Sequence, residues 1–430
     1  MPYLTAANDI KALIAKFAQA RILWLDTEIA DYKFNPRLSL IQVLADSRDL
    51  TGDATFLLDV LDKPELAAAF INQIMVNPDI EKVMHNASYD IRFLGNDDAK
   101  NITCTLQMAR KIPAYILQLP DRKLKTLIPA LCGVSYVDKT EQSGDWGKRP
   151  LSEPQLKYAA MDAVYLAQLH RRLLEIIEEC YPDPATENLT ALGEQYQKVE
   201  SLWKPLDLEI AEVKERFKAA MLEQKIKDTA YFELCSSILM KVDFMTLANL
   251  MQTEKIELSF PVTLTKEIQR QLGKLIAHPS LQVEDITSWR LTSNIQQRRK
   301  STKKNVPTPA SEDLTALGER YKEILPEWKL LDSEVEHLKE RVKKAMLVQN
   351  QGNTPYFKLA SSSILKVDFA NLARLVQSAG IELDFMVTLT QYIQKRLGES
   401  INQIDVQVEY ITSWRMTAKA VEDEDEEIPF

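Results

Sequence analysis

The chain has 430 residues, 45% of them hydrophobic and 27% charged, with a formal net charge of −9. That length accommodates about two to four domains, each with its own core. The acidic balance excludes a nucleic-acid grip over the whole surface, but not an acidic site whose field is reversed by bound cations. No stretch reaches the ~18–20 apolar residues of a membrane span. Met1 to Ala7 has neither the basic start nor the apolar run of a signal peptide. Cys104, Cys132, Cys180 and Cys235 are scattered, with no metal-ligand or disulfide spacing. The expectation is a cytoplasmic protein with reduced thiols and no membrane partner.

In chain order, Ile10 to Phe17 reads as a helix, and Arg21 to Ile29, Leu38 to Leu44 and Thr55 to Val60 read as an antiparallel meander of strands. A helix over Pro64 to Met75 leads to a short strand, Lys82 to His85. Mostly helical sequence follows, ending in a long helix from Ser152 to Glu179. Strands first antiparallel and then joined through helices predict an α/β domain over 1–182, a mixed sheet with flanking helices.

The rest of the chain is an internal duplication. Residues 187–292 recur without a gap as 312–417: Gly193, Tyr196, Trp203 and Asp207 become Gly318, Tyr321, Trp328 and Asp332. Lys241 to Phe244 recurs as Lys366 to Phe369, and Ile286 to Arg290 as Ile411 to Arg415. A period this long marks a duplicated domain, because solenoid repeats run at roughly 20–50 residues. Each copy opens on a long amphipathic helix, kinked at Pro205 in the first, and mixes strands with helices, so two small α+β domains are expected. Trp203, Trp289, Trp328 and Trp414 suit either base stacking or core packing. Between the copies, 293–311 is a flexible basic linker with Arg298, Arg299, Lys300, Lys303 and Lys304. The acidic segment 418–430 is expected to be disordered.

Three short patterns carry chemistry. Ile22 to Leu25 runs into Asp26-Thr27-Glu28, and residues two apart on a strand share a face, so both carboxylates can reach one cation. Hard oxygen donors of this kind suit Mg²⁺ or Mn²⁺. His85 to Asp90 follows a short apolar strand, with Asn86 placed to cap a helix and Asp90 one turn in. Ser152-Glu153-Pro154-Gln155 is a capping box, after which Tyr158 and Asp162 lie one turn apart on one helix face. Each pattern alone is equally what a solvated turn or an ordinary helix start would give.

Together, Asp26-Thr27-Glu28, Asn86-x-x-x-Asp90 and Tyr158-x-x-x-Asp162 resemble the three motifs of the DEDDy 3′–5′ exonuclease superfamily. Leu40 to Val43 and Gln142 to Ser152 are similar to text in bacterial ribonuclease D and Werner-type exonuclease domains. The resemblance covers about 1–180 and implies a ribonuclease H-like fold and a two-metal active site with two Mg²⁺ or Mn²⁺ ions. It implies that Asp26 bridges both metals, that Glu28 and Asp162 complete one site, that Asp90 serves the other, and that Tyr158 positions the attacking water. It also implies RNA 3′ ends as substrate, tRNA or other structured RNA, with DNA 3′ ends in repair as the alternative. A catalytically idle end-binding scaffold is the second alternative.

For substrate contacts the candidates are Asn86, Lys123 and Lys125, with Lys139, Trp146, Lys148 and Arg149 just ahead of the third motif. His85 is expected to be structural. Ribonuclease D relatives usually carry helical domains after the exonuclease domain. The duplicated half does not match that pattern, and its partner stays unassigned.

Overall fold

The computed structural model describes residues 1–31, 35–293, 312–402 and 408–418. The described residues fall into two compact units, Met1–Asp183 and Pro184 onward. The basic segment from 294 to 311 and the acidic end from 419 lie outside the described residues. None of the described helices is long and apolar enough to cross a membrane, and the four cysteines are free thiols.

The first unit runs β1 (Tyr3–Leu4), α1 (Ala7–Phe17), β2 (Ile22–Ala30), β3 (Arg37–Leu44), β4 (Phe56–Asp59), α2 (Pro64–Phe70), β5 (Glu81–Met84), β6 (Ile102–Cys104), α3 (Thr105–Lys111), α4 (Leu124–Leu131) and α5 (Glu153–Cys180). The sheet order is β1-β4-β3-β2-β5-β6. β2, β3 and β4 pair antiparallel, whereas β1 on β4, β5 on β2 and β6 on β5 are parallel. This is the expected mixed α/β sheet, with β1 and β6 added to the strands read from the sequence.

The apolar run before Asp26 has a packing cause. Leu23 and Leu25 join Ile10, Ile14 and Phe17 of α1 on one face of β2. Trp24 packs on the other face with Ala163, Val164 and Ala167 of α5. β2 is therefore covered on both sides, and α5 lies against the face that also carries Asp26 and Glu28.

The second unit runs α6 (Leu189–Glu223), β7 (Phe232–Asp243), α7 (Phe244–Glu254), β8 (Pro261–Thr263), α8 (Lys266–Leu272), β9 (Glu284–Ser293), α9 (Leu314–Val348), β10 (Phe357–Asp368), α10 (Phe369–Ala379), β11 (Met386–Thr388), α11 (Gln391–Leu397) and β12 (Val408–Ala418). α6 continues through Pro205. The sequence predicts two self-contained α+β domains, but the two copies share their sheets. They exchange strands: one sheet is β8-β10-β9 and the other β11-β7-β12, so each sheet mixes both copies. β9 pairs with β10 from Glu284 to Ser293, and β12 pairs with β7 along its whole length.

The helices cross-link in the same reciprocal way. The start of α6 packs on the end of α9 through Leu192, Tyr196, Val342 and Met346, and the end of α6 packs on the start of α9. Trp203 Nε1 donates to Asp332 at 3.0 Å and Trp328 Nε1 to Asp207 at 3.4 Å. Arg216 forks onto Glu312 and Arg341 onto Glu187. Trp203 and Trp328 thus belong to the helix pair, while Trp289 is exposed on β9.

Gly193 and Gly318 serve this exchange. The Tyr356 ring lies against Gly193 and the Tyr231 ring against Gly318, so closely that any Cβ would collide with ring carbons. Gly193→Val should therefore cost about 1–3 kcal/mol through overpacking. Thermal denaturation of the full chain should show a lowered second-unit transition, with the first-unit transition unmoved. An unchanged melting profile would mean that the Tyr356 ring moves aside freely.

Candidate active site

The site forms where the end of β2 meets α5. Asp26 pairs across the ladder with Gln42 and Glu28 with Leu40, and a bulge follows Glu28. Both carboxylates therefore project from one face toward α5. That helix begins at a complete capping box, Ser152 Oγ accepting from the Gln155 N–H and Gln155 reaching back to the Ser152 N–H. The cap fixes the first turn, which brings Tyr158 and then Asp162 over the strand end. Donor oxygens of Asp26, Glu28 and Asp162 come within 4.8 Å of one another.

Asp90 arrives by a different route. Asn86 does not cap a helix, contrary to the sequence reading: its φ is 53°, in the left-handed region, and its side chain accepts from the Ser88 hydroxyl. This turn carries the chain into a single 3-10 turn at Asp90–Arg92, which has no side-chain cap. Asp90 is buried, and Thr27 Oγ1 donates to its Oδ1 at 2.5 Å. The carboxylate is thus tied to β2 through the residue between Asp26 and Glu28.

All five expected residues line one cavity of about 290 Å³, together with Asn86 and Trp146. Lys123, Lys125 and Lys148 are not part of its wall. Tyr89, Leu124, Gln142, Ser143 and Gly144 are, although the sequence reading did not single them out as site residues. The last three occupy the loop just before the capping box, which is the sequence signal that could have placed them.

Arg149 is elsewhere engaged. Its Nε donates to Asp59 Oδ2 at 2.7 Å and its Nη2 to Asp59 Oδ1 at 3.1 Å and Ser39 Oγ at 2.9 Å. Its Nη1 donates to the Trp146 carbonyl at 3.0 Å. It braces the loop that carries Trp146 instead of facing the cavity. Burial alone would raise the Asp59 carboxyl, but hydrogen bonds from Arg149 and Tyr3 outweigh it and hold it below the ordinary value. A depressed carboxylate stabilises the fold above its unfolded value and loses that contribution as pH falls through the folded one. Arg149→Met should therefore cost about 3 kcal/mol at neutral pH and much less in acid. Chemical denaturation at both pH values checks this, and equal losses would remove the pair from the account.

Electrostatics concentrate in the cavity. Burial, then the Asp90 and Asp162 charges, raise the Asp26 carboxyl well above its usual range. Burial, then Asp26 and Asp162, do the same to Glu28. The Tyr158 phenol is pushed far up by burial and by Asp162, Glu28 and Asp26, so it stays a neutral hydroxyl. Burial alone would lower the Lys139 ammonium, but Asp162, Asp26 and Glu28 together turn the shift upward. His85 is pushed down to about 4, by burial first and then by the Lys139 and Arg110 charges. It is neutral at pH 7 and bonded to Thr105 Oγ1 at 2.9 Å, which fits a structural role.

Four carboxylates crowded out of water are costly unless cations partner them. An all-oxygen donor set of this kind fits a hard divalent ion. Residues 2–178 match the family model described as 3′–5′ exonuclease. The first unit is a 3′–5′ exonuclease domain. Ribonuclease D of Shewanella sp. (strain ANA-3) is 29% identical to it over 174 residues, 40% of this chain and 42% of that protein. Protein RRP6-like 3 of Arabidopsis thaliana is 29% identical over 165 residues, 38% of this chain and 17% of that protein. The chain thus spans less than half the length of these curated relatives. The crystal structure of Escherichia coli RNase D is also similar, at 24% identity, covering 47% of this chain and 54% of that one with a TM-score of 0.33. The family model, ending at residue 178, leaves the exonuclease domain as the assigned part and the strand-exchanged unit as the unassigned one.

Proposed function

We propose that the exonuclease domain removes nucleotides from the 3′ end of RNA, cutting phosphodiester bonds and releasing 5′-mononucleotides, with two divalent cations, Mg²⁺ or Mn²⁺. The observation that carries this is the convergence of Asp26, Glu28 and Asp162 donors within 4.8 Å, in a cavity that Asp90 and Tyr158 also line. Asp26, Glu28 and Asp162 would hold one ion, and Asp90, with Asp26, the other. When bound, such a pair lowers the pKa of an attacking water and stabilises the leaving 3′ oxygen.

The chain's own groups have narrower tasks. Tyr158 stays protonated, so its hydroxyl can orient a water by donating or accepting. Neutral His85 carries no charge into the site and is not needed as a base. Trp146, its ring centroid 6.1 Å from that of Tyr158 and its side chain buried with Leu40, Leu57 and Ala159, backs the tyrosine from the core side. RNA is favoured over DNA by the ribonuclease D relatives, and the 2′-hydroxyl is where the two would be told apart.

The test uses purified full chain with 3′-labelled RNA and DNA single strands in Mg²⁺, Mn²⁺ or EDTA. Metal-dependent release of mononucleotides from RNA in preference to DNA is expected. Preference for DNA would transfer the reading to DNA 3′ ends. No release from either in any metal would reduce the domain to an end-binding scaffold.

A further inference from the structure

Lys139 is the one lysine or arginine among the described residues that line the cavity. Its Nζ donates to Tyr158 Oη at 3.1 Å and to Asp162 Oδ1 at 3.1 Å. The ammonium also lies 5.0 Å from the Tyr158 ring centroid. The side chain is 19% exposed while that of Asp162 is 4% exposed, so the contact is made largely out of water. Lys139 sits in the irregular segment between α4 and α5, beside a turn in which Asp138 accepts from the Thr140 N–H at 2.9 Å.

We propose that Lys139 is an internal counter-cation of the site, which competes with the catalytic divalent ion for Asp162 and so sets how much metal the enzyme needs. The proposal rests on the metal-dependent reading above. A divalent ion needs the oxygen lone pairs of Asp162 and gains from the summed charge of Asp26, Glu28 and Asp162. Lys139 engages one of those oxygens and cancels one unit of that charge. A lysine suits this task because its ammonium is a compact point charge on a flexible stem, free to withdraw when a doubly charged ion arrives. Until then it keeps the Tyr158 hydroxyl and the Asp162 carboxylate in register, one turn apart on α5. Lys139 is thus a positioning residue whose removal should tighten metal binding.

The experiment is Mn²⁺ titration of the full chain by calorimetry, comparing wild type, Lys139→Met, Lys139→Arg and Asp26→Asn, with Tm measured in EDTA and in saturating Mn²⁺. A charge at this range moves a neighbouring equilibrium by about tenfold or more. Lys139→Met should therefore bind Mn²⁺ about tenfold more tightly. It should also melt lower in EDTA and gain more Tm from Mn²⁺ than wild type does. Lys139→Arg, which keeps the charge, should bind like wild type. Unchanged or weaker Mn²⁺ binding in Lys139→Met, with Lys139→Arg folded, would overturn the competition. A purely structural lysine predicts weaker binding, the opposite sign. If wild type binds no Mn²⁺ and matches Asp26→Asn, the metal reading itself fails, and that result is distinct from a failure of the Lys139 role.

Discussion

Asp26→Asn is expected to lower the 3′–5′ exonuclease rate by about 10³-fold or more while leaving the fold intact. Asp26 sits on one of the two middle strands of the sheet, within reach of the charges of both Asp90 and Asp162, so in the proposed reading it would serve both ions. Asparagine keeps its shape and removes its charge. Under that reading, losing a shared ligand would weaken both the water activation and the leaving-group stabilisation, and each 1.4 kcal/mol of lost transition-state stabilisation is tenfold in rate. Stability should move the other way. The Asp26 carboxyl is raised by burial and by its carboxylate neighbours. A raised carboxyl contributes stability below its unfolded value and loses it as pH rises through the folded value. In EDTA at neutral pH, Asp26→Asn should therefore melt at or above the wild-type temperature. Steady-state rates beside Tm decide the matter. Retained activity would remove Asp26 from the site, and lost activity with a collapsed Tm would show only that the variant unfolds.

The sequence exposed the candidate site because three independent local rules operate at its corners. Alternation on β2, the capping box of α5 and the i, i+4 spacing of Tyr158 and Asp162 are each set by neighbours a few residues away. What it concealed depends on distant partners. Nothing near Arg149 reveals that its fork closes on Asp59, 90 residues earlier. β1 and β6 have two and three residues, too few for any periodicity. Asn86 satisfies the rule for a helix cap, yet asparagine also tolerates positive φ, and here the turn into Asp90 requires that instead.

The duplication shows the same limit on a larger scale. Two copies with the same strands have the same strand edges and the same facing side chains. A strand from the other copy is then chemically equivalent to the copy's own, so sequence cannot distinguish self-contained copies from exchanged ones. Pairing β9 with β10, and β12 with β7, is the exchanged solution. It is the arrangement familiar from swapped dimers, made within one chain.

A chain ended at Ser293 is therefore expected to lose the second unit while keeping the exonuclease domain folded. β7 would lose both of its partners, β11 and β12, and β8 and β9 would lose the strand between them. The core shared by α7 and α10 would lose Val367, Phe369, Leu372, Val376, Leu383 and Leu389, all buried. At about 1.5–3 kcal/mol for each large apolar side chain, the loss is as large as the roughly 5–15 kcal/mol that stabilises a typical domain. α6 would also expose the face that Val335, Leu338 and Val342 cover. Limited proteolysis should trim this chain back toward Asp183, and the trimmed product should melt like a chain ended at Asp183. Self-association with recovery of the second transition would equally support exchange, because two truncated chains can supply each other's missing strands. A monomer that keeps a cooperative second transition would overturn it, since one copy would then fold without strands from the other.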